Sequence, residues 1–317
     1  MEFAFRENFK GVCCLDSLST LKMKYHIPVL VNEILEILNV SEGKKFIDCT
    51  LGDGGHTLEI LKRGGFVYGF DVSGTSLERA KKRIEELGYK DLFMPINSNF
   101  SNLEEEAKRH NIQEVDGILY DLGYSTYQLE TEDFGLSLQK DAPLDMRLDK
   151  NLSVLAMDFI NVLSEKELAR LFFEFGQENQ AKKFARAIVK ARNLKKIQTT
   201  KQLADLVSEI SSGYEHGRIH PATRIFQALR IAVNQELENL ESSLPQAVNL
   251  LKKPIEQLPG GRIAVISFHS LEDKIVKALQ NDSRLMELFK KPLVPGFEEI
   301  KLNRKARSAK LRAYERI

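Results

Sequence analysis

The 317-residue chain is poor in cysteine and has no long apolar run. Its three cysteines, two of them adjacent at Cys13 and Cys14, lack the paired spacing of a disulfide framework or a zinc site. No apolar stretch approaches the ~20 residues that a helix needs to cross a bilayer. Residues 1–22 also lack the continuous apolar core of a secretory signal. These absences argue against a membrane or secreted protein and predict a cytoplasmic protein without a metal site.

The basic residues are unevenly distributed, although the net charge of the chain is only +1. Residues 182–201 contain eight Lys or Arg and no acidic residue, and residues 301–317 contain seven against Glu315 alone. Two such patches can neutralise phosphates, which favours a nucleic acid as partner. A solvated helix face followed by a basic tail explains the same charges equally well.

A glycine-rich turn in the segment 46–57 is the most informative feature of the chain. A short apolar run ends at Asp48, the turn contains Gly52, Gly54 and Gly55, and a helical pattern follows. In a doubly wound sheet, such a turn lets a ligand contact the main chain. The spacing is neither that of a dinucleotide fingerprint nor that of a triphosphate loop. We therefore predict that the turn binds S-adenosylmethionine (AdoMet), which has a ribose and no phosphate. The less favoured alternative is a glycine turn that binds no ligand.

Acidic or aromatic side chains follow the next three predicted strands. Asp71 ends the second strand, where an acid can hold the two hydroxyls of a ribose. Phe100 lies in the loop after the third strand, where it can flank an adenine, and Asp121 ends the fourth. A helix cap is the structural alternative for Asp71, and an ordinary core aromatic is the alternative for Phe100. All three lie at the edge where open α/β sheets bind ligands.

A second polar group follows the predicted strand 262–267. His269, Ser270, Glu272 and Asp273 lie close together in the sequence, so a Ser/His/Asp hydrolase is one interpretation. The crowding of these groups into one short segment and the lack of a Gly-x-Ser-x-Gly turn disfavour it. Ser270 also suits the start of the next helix.

Alternating strands and helices up to residue 121 predict a doubly wound parallel sheet with helices on both faces. A long polar loop, 122–150, and a helical pattern without a convincing strand, 153–212, interrupt this alternation. A long helix from Ala222 and a strand–helix unit at 262–280 then resume it. We predict three parts: a weakly structured extension, 1–22; an α/β domain, 23–128 and 215–317; and an inserted all-α domain, 129–214.

Several strings of this sequence together resemble one family. This family, known as RsmH or MraW, comprises the bacterial AdoMet-dependent methyltransferases that form N4-methylcytidine in small-subunit ribosomal RNA. The resemblance runs in order over about residues 25–317. Its most specific strings are Leu-Asp-Met-Arg, ending at Arg147, and Ser-Phe-His-Ser-Leu-Glu-Asp, ending at Asp273. Further matches lie at 26–30, 48–56, 99–101, 116–123, 220–228, 260–262 and 306–312.

The resemblance implies a class I AdoMet-dependent methyltransferase with a Rossmann-like sheet and an inserted helical domain for RNA. The chain departs from the family at Tyr124 and Tyr127, where Val and Pro are common, and at Ser73, where an acid is common. None of these changes removes an implied cofactor contact. The implied AdoMet contacts are Gly54, Gly55, His56, Asp71, Phe100, Asp121 and Gln128.

The function that the resemblance implies is methyl transfer from AdoMet to N4 of a cytidine in the decoding region of 16S ribosomal RNA. For this reaction we predict that Asp121 and Ser125 hold the amine and that His269 or Asp145 accepts a proton. Methylation at carbon 5 would need a cysteine nucleophile, and no cysteine follows Cys49. The predicted RNA contacts are Lys195, Lys196, Arg224, Arg307 and Arg312.

Two other functions stay open at the level of the sequence. One is an α/β hydrolase or dehydrogenase that uses His269, and the other is a non-catalytic RNA-binding assembly factor with a vestigial AdoMet pocket. Arg224 has an ion pair within the fold as its own alternative. The sequence also leaves the oligomeric state open, with a homodimer as one option.

Overall fold

The computed structural model describes residues 25, 27–124, 134–211, 220, 222–256 and 258–317. Within these ranges, one sheet contains seven strands: β1 (Lys45–Asp48), β2 (Phe66–Asp71), β3 (Phe93–Asn97), β4 (Gly117–Asp121), β5 (Arg262–Ser267), β6 (Leu285–Glu287) and β7 (Lys310–Arg316). Their order in the sheet is β3-β2-β1-β4-β5-β7-β6. Neighbours among β1 to β5 pair in parallel, and β7 lies antiparallel between β5 and β6.

Helices cover both faces of this sheet. Phe46 and Ile47 are adjacent in β1 and fully buried, yet they belong to different core clusters because successive strand residues face opposite sides. Two buried faces explain why these strands are continuous apolar runs. The first core contains α1 (Val31–Ile37), α2 (Gly55–Leu61) and α3 (Gly74–Glu86), and the second contains α4 (Leu103–Arg109), α10 (Glu236–Leu250) and α11 (Ser270–Lys277). The predicted doubly wound fold is confirmed.

A third core is purely helical and lies outside the sheet. It contains α5 (Ala156–Val162), α6 (Glu165–Glu174), α7 (Ala181–Leu194), α8 (Thr200–Ile210) and α9 (Ala222–Asn234), and its buried residues run from Phe134 to Val233. The predicted boundary after residue 214 therefore falls inside this core, because the apolar face of α9 packs against α5, α6 and α8. No helix in the described ranges is long and apolar enough to span a bilayer.

The predicted long helix from Ala222 to about residue 244 is two helices. Gln235 has a left-handed φ of 51° and separates α9 from α10. The break redirects the chain, since α9 packs in the helical core while Leu240 and Leu244 of α10 pack on the sheet.

The basic C-terminal segment is a strand rather than a tail. Leu311 and Ala313 of β7 belong to the first core, whereas Tyr314 belongs to the second. Arg312 is 6% exposed, and its Nε donates to Oδ1 of Asp273 at 2.7 Å. A buried guanidinium held by a carboxylate does not reach a surface phosphate. This placement corrects the expectation that Arg312 binds RNA.

Candidate active site

A cavity of about 410 Å³ opens at the carboxyl ends of the parallel strands. Open α/β sheets bind ligands at this edge, where the strand order reverses between β1 and β4. The residues from strand ends and from the glycine turn form what we call the sheet side, and those from the helical core form the insert side. The sheet side includes Asp48, Gly52, Gly55, His56, Asp71, Phe100 and Asp121. The insert side includes Leu136, Leu138, Met146, Leu148, Phe226 and Arg230.

The glycine turn lies against the sheet in a conformation that requires glycine. Gly54 has a left-handed φ of 73° where α2 begins, and a Cβ there would lie 3.3 Å from Cβ of Ala80. Gly54 does not itself line the cavity, whereas Gly52 and Gly55 do. Gly54 therefore shapes the turn, and its neighbours are the ones that a ligand can contact.

Asp71 at the end of β2 ties this turn to the sheet. Its Oδ2 accepts from the amide of Gly52 and its Oδ1 accepts from that of Ser73, both at 2.8 Å. Burial raises the pKa of Asp71 to about 6, although both amide bonds oppose the rise. Ser73, not Asp71, caps α3. The acid is thus available for a ligand, as a ribose clamp requires.

Asp48 is a buried acid in the cavity wall that the sequence did not single out. It accepts from Thr57 Oγ1 at 2.7 Å and from the amide of Thr50 at 3.1 Å. Oγ1 of Thr50 in turn accepts from the amide of Asp121 at 2.6 Å, which joins the ends of β1 and β4. Burial raises the pKa of Asp48 despite these bonds. Its signal in the sequence is an acid that ends an apolar run directly before the glycine turn.

Asp121 and His56 face each other beside the cavity. Nε2 of His56 lies 3.4 Å from Oδ2 of Asp121, and the histidine is 6% exposed. Among the described residues, neither Nε2 of His56 nor Oδ1 of Asp121 has a hydrogen-bond partner, although both atoms are buried. A buried polar atom without a partner is costly, so both atoms indicate a ligand with polar groups of its own. Phe100 lines the same side, edge-on to Tyr120.

His269 serves as the cap of α11. Its Nδ1 accepts from the amide of Glu272 at 3.3 Å, while Oε2 of Glu272 accepts from the amides of Phe268 and His269. Because Nδ1 accepts, the proton of the neutral ring is on Nε2, which lies 3.1 Å from Oε1 of Glu272. Nδ1 is therefore used by the helix start, whereas Nε2 is buried beside the cavity and has no hydrogen-bond partner among the described residues.

The Ser/His/Asp interpretation of this segment is wrong on geometry. Oγ of Ser270 donates to Oε1 of Gln177 at 2.6 Å, and Asp273 pairs with Lys310 and Arg312. Ser270 and Asp273 thus have partners other than His269, and a nucleophile–base–acid relay is not assembled.

Asp145 lies outside the cavity lining, although its neighbours Met146 and Leu148 belong to it. Its carboxylate pairs with Arg147 at 2.8 Å and with Lys150 at 3.0 Å. Burial alone would raise the pKa of Asp145, but the hydrogen bonds from Arg147 lower it overall. A carboxylate with a low pKa and two cationic partners is a poor base. This corrects the expectation that Asp145 accepts a proton.

The remaining predicted RNA contacts differ in exposure. Lys195 and Lys196 are exposed directly after the end of α7, and Arg307 is exposed near the C-terminus. Arg224 is half-exposed, and its Nη1 lies 3.7 Å from Glu178, which favours its alternative as an ion pair within the fold.

Two predicted site residues, Ser125 and Gln128, lie outside the described residues, so their roles stay predictions. Tyr124, Arg230 and Lys305 are among the cavity residues for which the sequence predicted no role in the site. Tyr124 was visible only as a departure from the family pattern. The position of Arg230 depends on tertiary packing that local sequence does not reveal.

The glycine turn and Asp71 lie together at the edge where open α/β sheets bind ligands, and this arrangement fits the AdoMet-dependent methyltransferase predicted from the sequence. The comparisons with known proteins agree. Residues 23–317 match the MraW methylase family, and the chain belongs to that family. A relative from Carboxydothermus hydrogenoformans, named Ribosomal RNA small subunit methyltransferase H, is 44% identical over 312 residues, covering 92% of this chain and 98% of its own. A protein of the same name from Persephonella marina is 41% identical and covers 93% and 100%. AdoMet is therefore the cofactor, and the sheet side fits it.

Proposed function

We propose that this methylase transfers the methyl group of AdoMet to N4 of a cytidine in 16S ribosomal RNA, in the decoding region of the small subunit. The names of the relatives support a small-subunit RNA as substrate. The observation that carries the choice of atom is Asp121, whose buried Oδ1 has no partner among the described residues. A carboxylate in this position is an acceptor for the N–H of an amine.

The sheet side would hold AdoMet through groups already in place. Asp71 suits the ribose hydroxyls, Phe100 suits a flank of the adenine, and the main chain at Gly52 and Gly55 permits close approach. When bound, AdoMet supplies an electrophilic methyl group.

The amine needs help because its lone pair is delocalised into the cytosine ring. Asp121 would orient the amine by accepting one N–H. It would accept that proton as the new N–C bond forms and the S–CH3 bond of AdoMet breaks, which would leave S-adenosylhomocysteine. We assign this role to Asp121 rather than to His269, because Nδ1 of His269 already accepts from a helix amide. Ser125 remains a proposed further contact to the amine.

Methylation at carbon 5 fits the cavity less well. Cys49 lines the cavity, but it is buried, and burial raises the pKa of its thiol well above the usual value. A protonated thiol is a poor nucleophile, whereas carbon-5 chemistry requires a thiolate.

The target base has to leave its stack to reach the cavity. The apolar wall of the insert side, with Leu136, Met146 and Phe226, suits the faces of an unstacked base. Exposed Lys195, Lys196 and Arg307 are proposed to hold flanking phosphates in the cytoplasmic small subunit.

The test is methyl transfer from labelled AdoMet to unmodified small ribosomal subunits, followed by digestion to nucleosides. We expect the label in N4-methylcytidine. Label in any other nucleoside overturns the choice of atom. The non-catalytic alternative predicts no calorimetric AdoMet binding together with intact RNA binding.

A further inference from the structure

Arg230 of α9 is a largely buried arginine in the wall of the cavity. Its Nε and Nη2 donate to the two carboxylate oxygens of Glu236 at 2.8 and 2.9 Å. The side chains of this pair are 12% and 16% exposed. Two parallel hydrogen bonds fix the plane of the guanidinium, which a single contact would not do.

Tyr124 holds the same guanidinium from another direction. The guanidinium carbon lies 4.7 Å from the centre of the Tyr124 ring, and Tyr124 follows Asp121 by three residues. Among the described residues, Nε and Nη2 make the hydrogen bonds of this side chain and Nη1 makes none. The guanidinium is thus oriented by two neighbours and keeps one donor group for something else.

This donor is permanently charged. Burial opposes the charge of Arg230, but attraction to Glu236 is among the effects that raise its pKa overall. A buried ion pair is seldom needed for stability, because apolar residues of similar volume often serve as well. Its place in the cavity wall therefore indicates a role toward the ligand.

We propose that Arg230 is a specificity-determining residue that donates from Nη1 to N3 of the target cytosine. The inference rests on the proposed function, which puts the N4 amine at Asp121. N3 is the ring atom next to the carbon that carries N4. It is an acceptor in cytosine and an N–H donor in uracil, so a cationic donor there selects cytosine. The same hydrogen bond withdraws electrons from the ring and makes the amine proton easier for Asp121 to accept.

A divalent cation is the competing use of this cluster. Ligand atoms of Glu236, His269 and Glu272 lie within 4.8 Å of one another. The guanidinium of Arg230 already binds both oxygens of Glu236. A metal ion would have to displace this positive charge or lie next to it. The charge balance therefore favours a neutral acceptor in the substrate over a cation.

The test compares small subunits reconstituted with cytidine or 3-deazacytidine at the target position, because the analogue lacks the N3 acceptor. For each enzyme, the cytidine preference is the single-turnover rate on cytidine particles divided by the rate on 3-deazacytidine particles. The intrinsic effect of the analogue on amine reactivity cancels when a variant is compared with the wild type. We expect the paired variant Arg230→Met/Glu236→Leu to lose about tenfold or more of the wild-type preference.

Two further variants keep the test decisive. Arg262→Met/Glu315→Leu removes another partly buried pair, away from the cavity, and should keep the wild-type preference. Arg230→Lys retains a charge for Glu236 but has no second nitrogen for N3, so it should also lose preference, and it serves if the paired variant does not fold. An unchanged preference in the folded Arg230 variants overturns the proposal. Failure of the wild type to methylate the cytidine particles overturns the proposed function instead.

Discussion

The two sides of the cavity are held in place by contacts of very different reach along the chain. On the sheet side, Asp71 binds the amide of Gly52, 19 residues away, and Asp48 binds Thr57, 9 residues away. On the insert side, Asn234 binds the carbonyl of Met146, 88 residues away. The glycine turn of the cofactor half is thus held by local contacts, and one longer-range bond, between Thr50 and Asp121, joins it to β4. The substrate half depends on the tertiary packing of the helical core.

Asn234 shows how the insert side is built. Its Oδ1 accepts from the amide of Leu148, and its Nδ2 donates to the carbonyl of Met146, both at 2.8 Å. These bonds hold Met146 at a left-handed φ of 65°, a costly conformation for a residue other than glycine. Strained residues persist only where their surroundings enforce them, so Asn234 and the Asp145–Arg147 pair brace this wall.

Asp121 lies on the sheet side and is the proposed contact to the substrate amine, so its replacement should have the largest effect. Asp121→Asn keeps the size of the side chain but removes its charge and its ability to accept the amine proton. We expect kcat to fall by about 10²–10⁴-fold, the usual range for a positioned acid or base. Asp116→Asn is the matched control, since Asp116 lies just before the start of the same strand and binds Lys45 and Lys252. A kcat for Asp121→Asn close to that of the control would refute the assignment.

The brace on the insert side should matter for stability. Asn234→Ala leaves the buried carbonyl of Met146 and the partly buried amide of Leu148 without partners, which costs about 1–3 kcal/mol of unfolding free energy. Chemical denaturation measures this loss. Asn151→Ala, at an exposed position, should leave the midpoint unchanged. Equal midpoints for both variants would show that the insert side needs no such brace.

The sheet side should respond to pH through Asp71. Because burial raises its pKa from 3.8 to about 6, protonated Asp71 stabilises the apoprotein fully below pH 3.8, and this contribution is lost as the pH rises through about 6. AdoMet binding has the opposite sign, since ribose hydroxyls donate to the ionised acid. We expect the AdoMet dissociation constant to fall about tenfold from about pH 5 to about pH 7. Asp71→Asn should flatten this profile, and an equally steep profile in that variant would assign the titration elsewhere.

The smallest expected effect concerns the exposed lysines after α7. Lys195→Glu with Lys196→Glu should weaken binding to small subunits severalfold at low salt and spare AdoMet binding. Lys82→Glu with Lys90→Glu, at exposed positions on another face, is the matched control. Equal RNA affinity in the two double variants, measured by filter binding, would remove the lysines from the model.

Sequence patterns predicted the sheet side because strand-end positions follow from the order of strands. Asp71, Phe100 and Asp121 were all placed at the ligand-binding edge of the sheet in this way, and all three line the cavity. Sequence patterns did not predict that the basic C-terminal segment forms β7. Its Lys and Arg residues suggest a solvated tail unless the acidic partners of these residues are known. Asp273 is one of those partners, and it lies 39 residues before Arg312.

The insert side was largely beyond prediction. The positive φ of Met146 and the orientation of Arg230 depend on Asn234, Glu236 and Tyr124, which local periodicity does not connect. A helical pattern predicts that α9 exists, but it does not tell which core receives its apolar face. Helical propensity also missed the break at Gln235, where tertiary packing overrides it.

The central claim is that the sheet side binds AdoMet and the insert side does not. Titration calorimetry tests this claim by measuring the AdoMet dissociation constant of two variants, one from the sheet side and one that faces the insert side. Asp71→Ala removes the proposed ribose clamp, and Tyr124→Val introduces the residue that is common in the family. We expect Asp71→Ala to weaken AdoMet binding by about tenfold or more, as loss of a charged hydrogen-bond partner does, and Tyr124→Val to leave it unchanged. Unchanged affinity in Asp71→Ala, or an equal loss in both variants, would contradict it.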